Sequence, residues 1–375
     1  MLTIERADTR DRAQVRRFVG LPYRLYRGNG QWVPPLWEDA ALPLNRQKHP
    51  FYEYSEAEFF LARREGRDVG RIAALENRHY NEYHGTKQAQ FYCFDCEEDA
   101  EAAGALFERA FEWARRRGLT EMVGPKGFGA LDGYGLLVEG FEHRAAMTMM
   151  NYNYAYYPRL VERLGFEKEV DFVSGYIHSE SFRLPERVHR IADRVQQRGT
   201  LTVKRFRSKR ELMGWAGRIG AAYNKAFVNN WEYVPLTERE IKLLTDNITL
   251  VADPRLIKIM THGDEVVGFL FAFPDVSAAL QRARGRLLPL GLPDLLLEMR
   301  RTKWLALNGA GILPEFQGHG GNAVLYAEME HTVRDYHFEH ADLTQVAESA
   351  VQMRRDLENL GGRAYKNHRV YRRAV

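Results

Sequence analysis

Between residues 312 and 322 the chain reads Ile-Leu-Pro-Glu-Phe-Gln-Gly-His-Gly-Gly-Asn. From Gln317 through Gly318, His319, Gly320 and Gly321 to Asn322, glycines leave backbone N–H groups uncovered by side chains. Gathered at the start of a helix, where the helix dipole is positive, such groups suit a pyrophosphate. A turn that merely lets a strand pack close to a helix has the same composition, so the glycines alone leave both readings open. No Gly-Lys-Ser/Thr follows, as a Walker loop requires, and no acidic residue closes a following strand, as a dinucleotide fold requires.

Such a loop needs a strand before it and a helix after it. An apolar run at 305–313 ends at Pro314, and Tyr326, Met329, Val333 and Tyr336 recur at helical spacing. From residue 201 the order is strand, two helices (211–227, 237–247), a hairpin (256–273) turning at Gly263-Asp264, the central strand and loop, a helix, a strand (341–346), a helix (350–360) and terminal strands (363–373). The first half reads as strand (2–7), an aromatic-rich irregular region, hairpin (58–77), strand (90–94), helix (102–117), strand within 121–139, helix (159–166) and strand (171–178). The halves share an element order. This predicts an α/β chain of two tandem domains, each a mostly antiparallel mixed sheet flanked by helices. The expected boundaries are 1–183, a linker helix at 184–199 between Pro185 and Gly199, and 200–375. An insertion at 274–303 mixes leucines with Arg282, Arg284, Arg286, Arg300 and Arg301. Packing onto its own domain or onto a second copy of the chain is the common fate of such a segment; a lid or a membrane-interface surface is the alternative.

A chain of 375 residues, 45% hydrophobic and 28% charged, has room for two domains. Its formal charge of +4 fits an anionic ligand but lacks the clustered basic excess that nucleic-acid binding requires. No apolar run reaches the roughly 20 residues of a membrane span, and the first residues contain no signal-peptide core, so the cytoplasm is expected. Cys93 and Cys96 are the only cysteines. Without further Cys or His at metal spacing they are expected to be reduced thiols on opposite faces of a strand.

Pro314, Gln317, Gly318 and Gly320 resemble motif A of the GNAT acetyltransferase superfamily. There a strand ending in Pro-x-x-Arg/Gln-Gly-x-Gly-x-Gly/Ala cradles the pyrophosphate of acetyl-CoA. Asn322 stands where the last small residue is usual. The whole chain resembles bacterial tandem-GNAT proteins through LPYRLYRGNGQWVPPL, GLLVEGF, YYPRLVERLGF, the Asn-Asn-Trp-Glu-Tyr-Val-Pro stretch at 229–235, and the pairing of ILPEFQGHGG with MRRDLENLGGRAYKNHRVY.

The resemblance implies that acetyl-CoA, or another acyl-CoA, meets backbone atoms around Ile312 and Leu313. It also implies contact with the segment Gln317, Gly318, His319, Gly320, Gly321 and Asn322, and transfer of the acyl group to an amine of a small molecule or peptide. The tyrosine that protonates the leaving thiolate in many GNATs is replaced by Leu357, and by Val161 in the first half. Tyr365 is the nearby substitute, and Glu348 or a water is the base. In the first half Glu97, Glu98, Asp99 and Glu101 stand where the pyrophosphate would sit, so only the second half is expected to bind CoA. A cleft between the halves is the expected acceptor site, with Asp132, Asn151, Tyr152 and Asn153 from one side and Asn230, Trp231 and Tyr233 from the other. A non-catalytic CoA- or acyl-binding protein is the competing expectation. Aminoacyl transfer from tRNA is a weaker one, given the mild charge.

Overall fold

A computed structural model describes all residues except Ala130, Leu131, Thr148, Asn229 and Glu232. Asn229 and Glu232, within the 229–235 stretch, thus lie outside the described residues. In chain order the elements are β1 (Leu2–Arg6), α1 (Arg12–Leu25), α2 (Trp37–Ala41), β2 (Glu56–Arg64), β3 (Arg67–Glu76), α3 (Arg78–His84), β4 (Gln88–Cys96), α4 (Ala100–Arg116), β5 (Glu121–Gly124), β6 (Leu136–Glu139), α5 (Tyr157–Glu162) and β7 (Glu167–His178). There follow α6 (Glu186–Arg198), β8 (Thr202–Lys204), α7 (Lys209–Met213), α8 (Ala216–Ala226), α9 (Glu238–Thr249), β9 (Ile257–His262), β10 (Glu265–Pro274), α10 (Ser277–Ala283), α11 (Gly291–Arg301), β11 (Trp304–Ile312), α12 (Gly321–Asp335), β12 (His340–Ala347), α13 (Val351–Asn359) and β13 (Arg363–Ala374). They form two compact units, one of residues 1–173, 277–296 and 366–375, the other of 174–276 and 297–365.

In the first unit β1 to β4 pair antiparallel in sequence order and β4 pairs with β5 in parallel. The β2–β3 turn uses Glu65 and Gly66 at φ 52 and 81, the left-handed pair that matches the strands' twist. Helix α4 begins where the Asp99 carboxylate accepts from the Ala102 amide at 3.0 Å. It buries Ala103, Leu106, Phe107, Ala110 and Phe111 on one stripe, against a core with Phe91, Phe94 and Phe166. The other face of the sheet holds Phe18, Phe51, Phe59, Leu61 and Phe128. The last strand of this unit is the chain's own end, Tyr371 to Ala374, pairing antiparallel with Gly124 to Glu121.

The second unit orders its strands β8-β9-β10-β11-β12, with β7 beside β12. All pairs are antiparallel from β8 to β11, and β11–β12 is parallel. Both units are therefore mixed sheets flanked by helices, as the element order predicts.

Two segments sit otherwise than their sequence suggests. Helix α6, expected as a linker, lies along α12 inside the second unit: Gln196 Nε2 donates to Glu328 at 3.4 Å, and His189 stands 3.2 Å from the buried Glu330 carboxylate. Residues 277–296 of the insertion belong to the first unit. Gln281 Nε2 donates to the carbonyls of Gly30 and Trp32, both at 2.9 Å, and the Trp37 amide donates to the Gly285 carbonyl at 3.0 Å. Gly285 has φ 73, and a side chain there would strike the Pro35 carbonyl.

Candidate active site

Strand β11 is held on both edges at its start and on one edge at its end. Its parallel pairing with β12 runs only from Trp304↔His340 to Leu307↔Leu343, while its pairing with β10 continues to Ile312. From residue 308 onward, one edge of β11 has no strand partner among the described residues. The register against β10 slips between Phe271 and Ala272, which face Gly309 and Leu307, so Asn308 is the extra residue of a β-bulge. Both polar atoms of its side chain are buried with no hydrogen-bond partner among the described residues. Such an amide costs about 1–3 kcal/mol until something pairs with it. Bulges also re-aim side chains next to active sites.

Beyond the bulge, the Leu313 amide donates to Val267 at 2.9 Å, Pro314–Phe316 makes one 3-10 turn, and Gln317 Nε2 donates back to the Ile312 carbonyl at 3.1 Å. Gly318 and Gly320 then adopt φ 78 and 85, and α12 starts with Gly320 as an N-cap that offers no side-chain acceptor. None of the N–H groups from residue 318 to 323 meets an acceptor among the described residues. With the positive end of the α12 dipole they form a cradle of donors of the kind that suits an anion. The glycines divide in their reasons. A Cβ on Gly320 would stand 2.7 Å from Ile191 Cγ2, and one on Gly321 2.7 Å from Ile312 Cδ1, whereas one on Gly318 meets nothing within 4 Å. The open side of the cradle is thus at Gly318, with His319 and Asn322 exposed around it.

The proton-moving candidates separate. Tyr365 on β13 donates to Asp342 Oδ1 at 2.7 Å, and Asp342 is 2% exposed and level with Ala306. Residues 306 and 342 lie two steps before the strands part, on the order of 7 Å. Continued at the register of Leu307↔Leu343, Asn308 falls opposite Thr344, whose hydroxyl donates to Leu307 O at 3.1 Å. Glu348 lies four residues further, one past the end of β12, toward the loop end. Leu357, where a thiolate acid would be, is 5% exposed and fills the space over Gly175 and Gly362.

The corresponding place in the first unit is filled. Asp99 caps α4 and is itself bonded by Arg64 Nε at 2.9 Å, while Glu97 pairs with Arg24 and Arg67 at 3.0 and 2.7 Å. On β4, which slips register at Cys93 (φ 50), the Cys96 amide donates to the Tyr157 hydroxyl at 3.0 Å and the Tyr156 hydroxyl donates to the Cys96 carbonyl at 2.8 Å. Burial holds the Tyr157 phenol well above its ordinary range, so it stays neutral. Both cysteines are free and on opposite faces of β4, and burial raises the Cys93 thiol to about 12.

The acceptor candidates have structural employment within their own units. Asp132 Oδ2 accepts from the Phe128 and Gly129 amides at 2.6 and 2.9 Å, with burial raising the carboxyl against those two bonds. Asn151 Nδ2 donates to Gly133 O at 2.9 Å, and Asn153 brackets Leu137, accepting from its amide at 2.7 Å and donating to its carbonyl at 3.1 Å. The Tyr152 hydroxyl accepts from Asn29 at 3.3 Å. In the second unit Tyr233 donates to Asn224 O at 2.6 Å, the Asn230 amide donates to Phe227 O at 2.8 Å, and Trp231 is half-buried. Among the described residues no His/Cys/Asp/Glu cluster could hold a metal ion.

No signal drew attention to Asn308 in the sequence beyond one polar residue inside an apolar run. Tyr156 and Tyr157 open the YYPRLVERLGF stretch, where nothing marks them as partners of β4.

The repeated mixed sheet and the parting of β11 from β12 give the chain the fold of tandem GNAT proteins. A tandem GNAT protein from the clavulanic acid biosynthesis pathway, solved without acetyl-CoA, superposes with a TM-score of 0.57 at 12% identity, covering 100% of this chain and 98% of that one. No family model matches the chain. In sequence it is 30% identical over 370 residues to the bacterial ceramide synthase of Caulobacter vibrioides, covering 97% of this chain and 95% of that protein. It is 24% identical over 370 residues to protein YghO of Escherichia coli, with 96% and 93% covered. The chain belongs to the family of the bacterial ceramide synthase.

Proposed function

We propose that this protein is an N-acyltransferase that moves an acyl group from an acyl-CoA to a primary amine, with CoA held by the second unit. The observation that carries this reading is that, among the described residues, the N–H groups at 318–323 meet no acceptor, beside an edge of β11 without a strand partner that carries the unpartnered amide of Asn308. The N–H groups and the dipole of α12 would hold the pyrophosphate, and the free edge from Asn308 to Ile312 would hold the amide-bearing arm of the ligand by main-chain bonds. Acyl-CoA supplies an activated thioester: the amine nitrogen forms the new C–N bond, the C–S bond breaks, and the proton lost by nitrogen balances the one the thiolate takes up.

Asn308 Nδ2 is the donor for the carbonyl oxygen that gains charge. Tyr365, held by Asp342, is the hydroxyl for the proton, and a water rather than Glu348, which lies past the end of β12, takes the proton from the reacting amine. The relative's name supports a more specific acceptor, since a ceramide is the amide of a long-chain amino alcohol. A long-chain acyl-CoA and a long-chain amino alcohol are accordingly the first substrates to try, ahead of acetyl-CoA with small or peptide amines.

The competing reading, a protein that binds acyl-CoA without turning it over, draws on buried Leu357 standing where a thiolate acid is usual. Release of free thiol from palmitoyl-CoA, followed with and without a long-chain amino alcohol, separates the two. Amine-dependent release with formation of the amide is expected. Tight binding of palmitoyl-CoA with no release across a panel of amines establishes the competitor.

A further inference from the structure

Between α10 and α11 the chain turns through Leu287-Leu288-Pro289-Leu290, and the side chains of this tip are bare: Leu288 is 79% and Leu290 77% exposed. The tip is not slack. Arg282 on α10 grips Asp294 on α11 through two bonds of 2.8 and 2.9 Å, and the Trp37–Gly285 bond seats its near end on the first unit. Helix α11 continues the pattern. Gly291, Leu295 and Glu298 face inward at helical spacing, while Leu296 and Leu297 are 46% and 52% exposed on the outer side. Monomeric surfaces scatter single exposed leucines, but four within ten residues, two of them almost fully bare on a braced turn, mark a surface made to be covered.

The charges say by what. Acidic residues in this stretch are consumed, Asp294 by Arg282 and Glu298 by Arg301 at 2.8 Å. Arg284 and Arg286 before the tip and Arg300 on α11 make no ion pair among the described residues, and all three are exposed. A second copy joined about a two-fold axis through this patch would set one cluster of unpaired arginines beside another. An anionic lipid surface takes the leucines into its apolar boundary and the arginines at its headgroups. We propose that the tip at 287–290, with the outer face of α11, is a docking surface for an anionic phospholipid bilayer. The protein would lie on the membrane rather than across it: among the described residues no helix is long and apolar enough to span one. This surface stands independently of the acyl-transfer reading, since it involves neither the cradle nor Asn308.

The test is flotation of the full chain with vesicles of phosphatidylglycerol and phosphatidylethanolamine, and in parallel with vesicles of phosphatidylcholine alone. The protein is expected to rise with the anionic vesicles and remain below with the neutral ones, and added salt should weaken the association. Leu288→Gln with Leu290→Gln should lower the partition coefficient about tenfold per leucine, and Arg284→Gln with Arg286→Gln about fivefold per arginine. Exposure of these side chains leaves the thermal midpoint as a control that should not move. Failure to float with anionic vesicles overturns the proposal, as does flotation indifferent to the leucine pair. A concentration-dependent dimer by light scattering, abolished by Leu288→Gln/Leu290→Gln in a protein that binds no vesicle, would make a second copy the occupant instead.

Discussion

The Tyr157 hydroxyl accepts from the Cys96 amide at 3.0 Å, tying off the end of β4 just ahead of α4. Tyr156 closes the same peptide from its carbonyl side at 2.8 Å. In the second unit the matching stretch of β11, just ahead of α12, has an edge with no strand partner among the described residues and a helix start with no side-chain cap. Two copies of one element order thus differ by side-chain choice: one satisfies its strand and helix ends internally, and the other leaves them without internal partners among the described residues.

Ligand binding should therefore respond only to changes in the second cradle. Gly318→Asp places a carboxylate among the 318–323 amides at a position with space around it and a left-handed φ that Asp tolerates better than most residues. Repulsion across a few ångströms is about 3 kcal/mol, so the Kd for CoA in calorimetry should rise about a hundredfold, while the left-handed φ costs the fold about 1 kcal/mol. Glu98→Ala beside α4 should leave the Kd within about twofold, because Glu98 is a 67% exposed partner of Arg159. Gly320 is the poorer position to test, since any side chain there collides with Ile191. Equal losses from Gly318→Asp and Glu98→Ala would remove the assignment.

Asn308 is expected to trade stability for turnover. Asn308→Ala removes two buried polar atoms that have no partner among the described residues, so the folded state should gain or hold, by about 0 to 2 kcal/mol in denaturant titration. If its Nδ2 supports the reacting carbonyl, kcat should fall about a hundredfold at the same time. A variant that loses stability and keeps kcat would show the amide to be a structural group.

Tyr365→Phe removes a donor from an almost fully buried carboxylate, which should cost about 1–3 kcal/mol in unfolding free energy. Acting on a proton as well, the hydroxyl should account for at least a tenfold drop in kcat, with CoA affinity unchanged. Unchanged kcat with the same loss of stability would reduce Tyr365 to a partner of Asp342. Glu348→Gln, at the other end of the opening, should leave kcat within about threefold, and a larger drop would restore it as the base.

What the chain disclosed in advance was local. Pro314, Gln317 and the glycines after it announce a strand, a turn and an uncapped helix because backbone freedom is written directly in residue type. Alternating and helical spacing likewise disclosed the strands and the longer helices around the loop, but not α1, which forms within the stretch read as irregular, nor α3. Pairing across long separations left no such trace. Tyr371 to Ala374 complete a sheet with residues 121–124, and Gln281 bonds to Gly30 and Trp32. Periodicity shows which face of a strand is apolar without saying which strand lies beside it. Asn308 was hidden for a related reason: a bulge is a mismatch between two strands, and neither strand alone contains it. An isolated 201–375 fragment would therefore deprive each unit of strand residues, so point substitutions are the cleaner probes.

Stability should fall on the acid side of neutrality, and two buried histidines set where. His368, on the terminal strand and 0% exposed, shares a 2.8 Å bond between Nε2 and Asn151 O, and burial pushes it down to about 4. His49, whose Nδ1 accepts from the Phe51 amide at 3.2 Å, is likewise pushed down to about 4 by burial. In the unfolded chain each titrates near 6.5, so between those values the unfolded state binds more protons than the folded one. The stabilisation is complete above about pH 6.5 and declines as pH falls toward 4, where each histidine accounts for about 3 kcal/mol of the loss. Thermal midpoints measured across this range should drop steeply, and the slope should be roughly halved by His49→Asn, which keeps an acceptor for the Phe51 amide. His368→Gln should flatten what remains. A parental midpoint that stays level from pH 6.5 to 4 would mean that these rings titrate in the fold as they do in water.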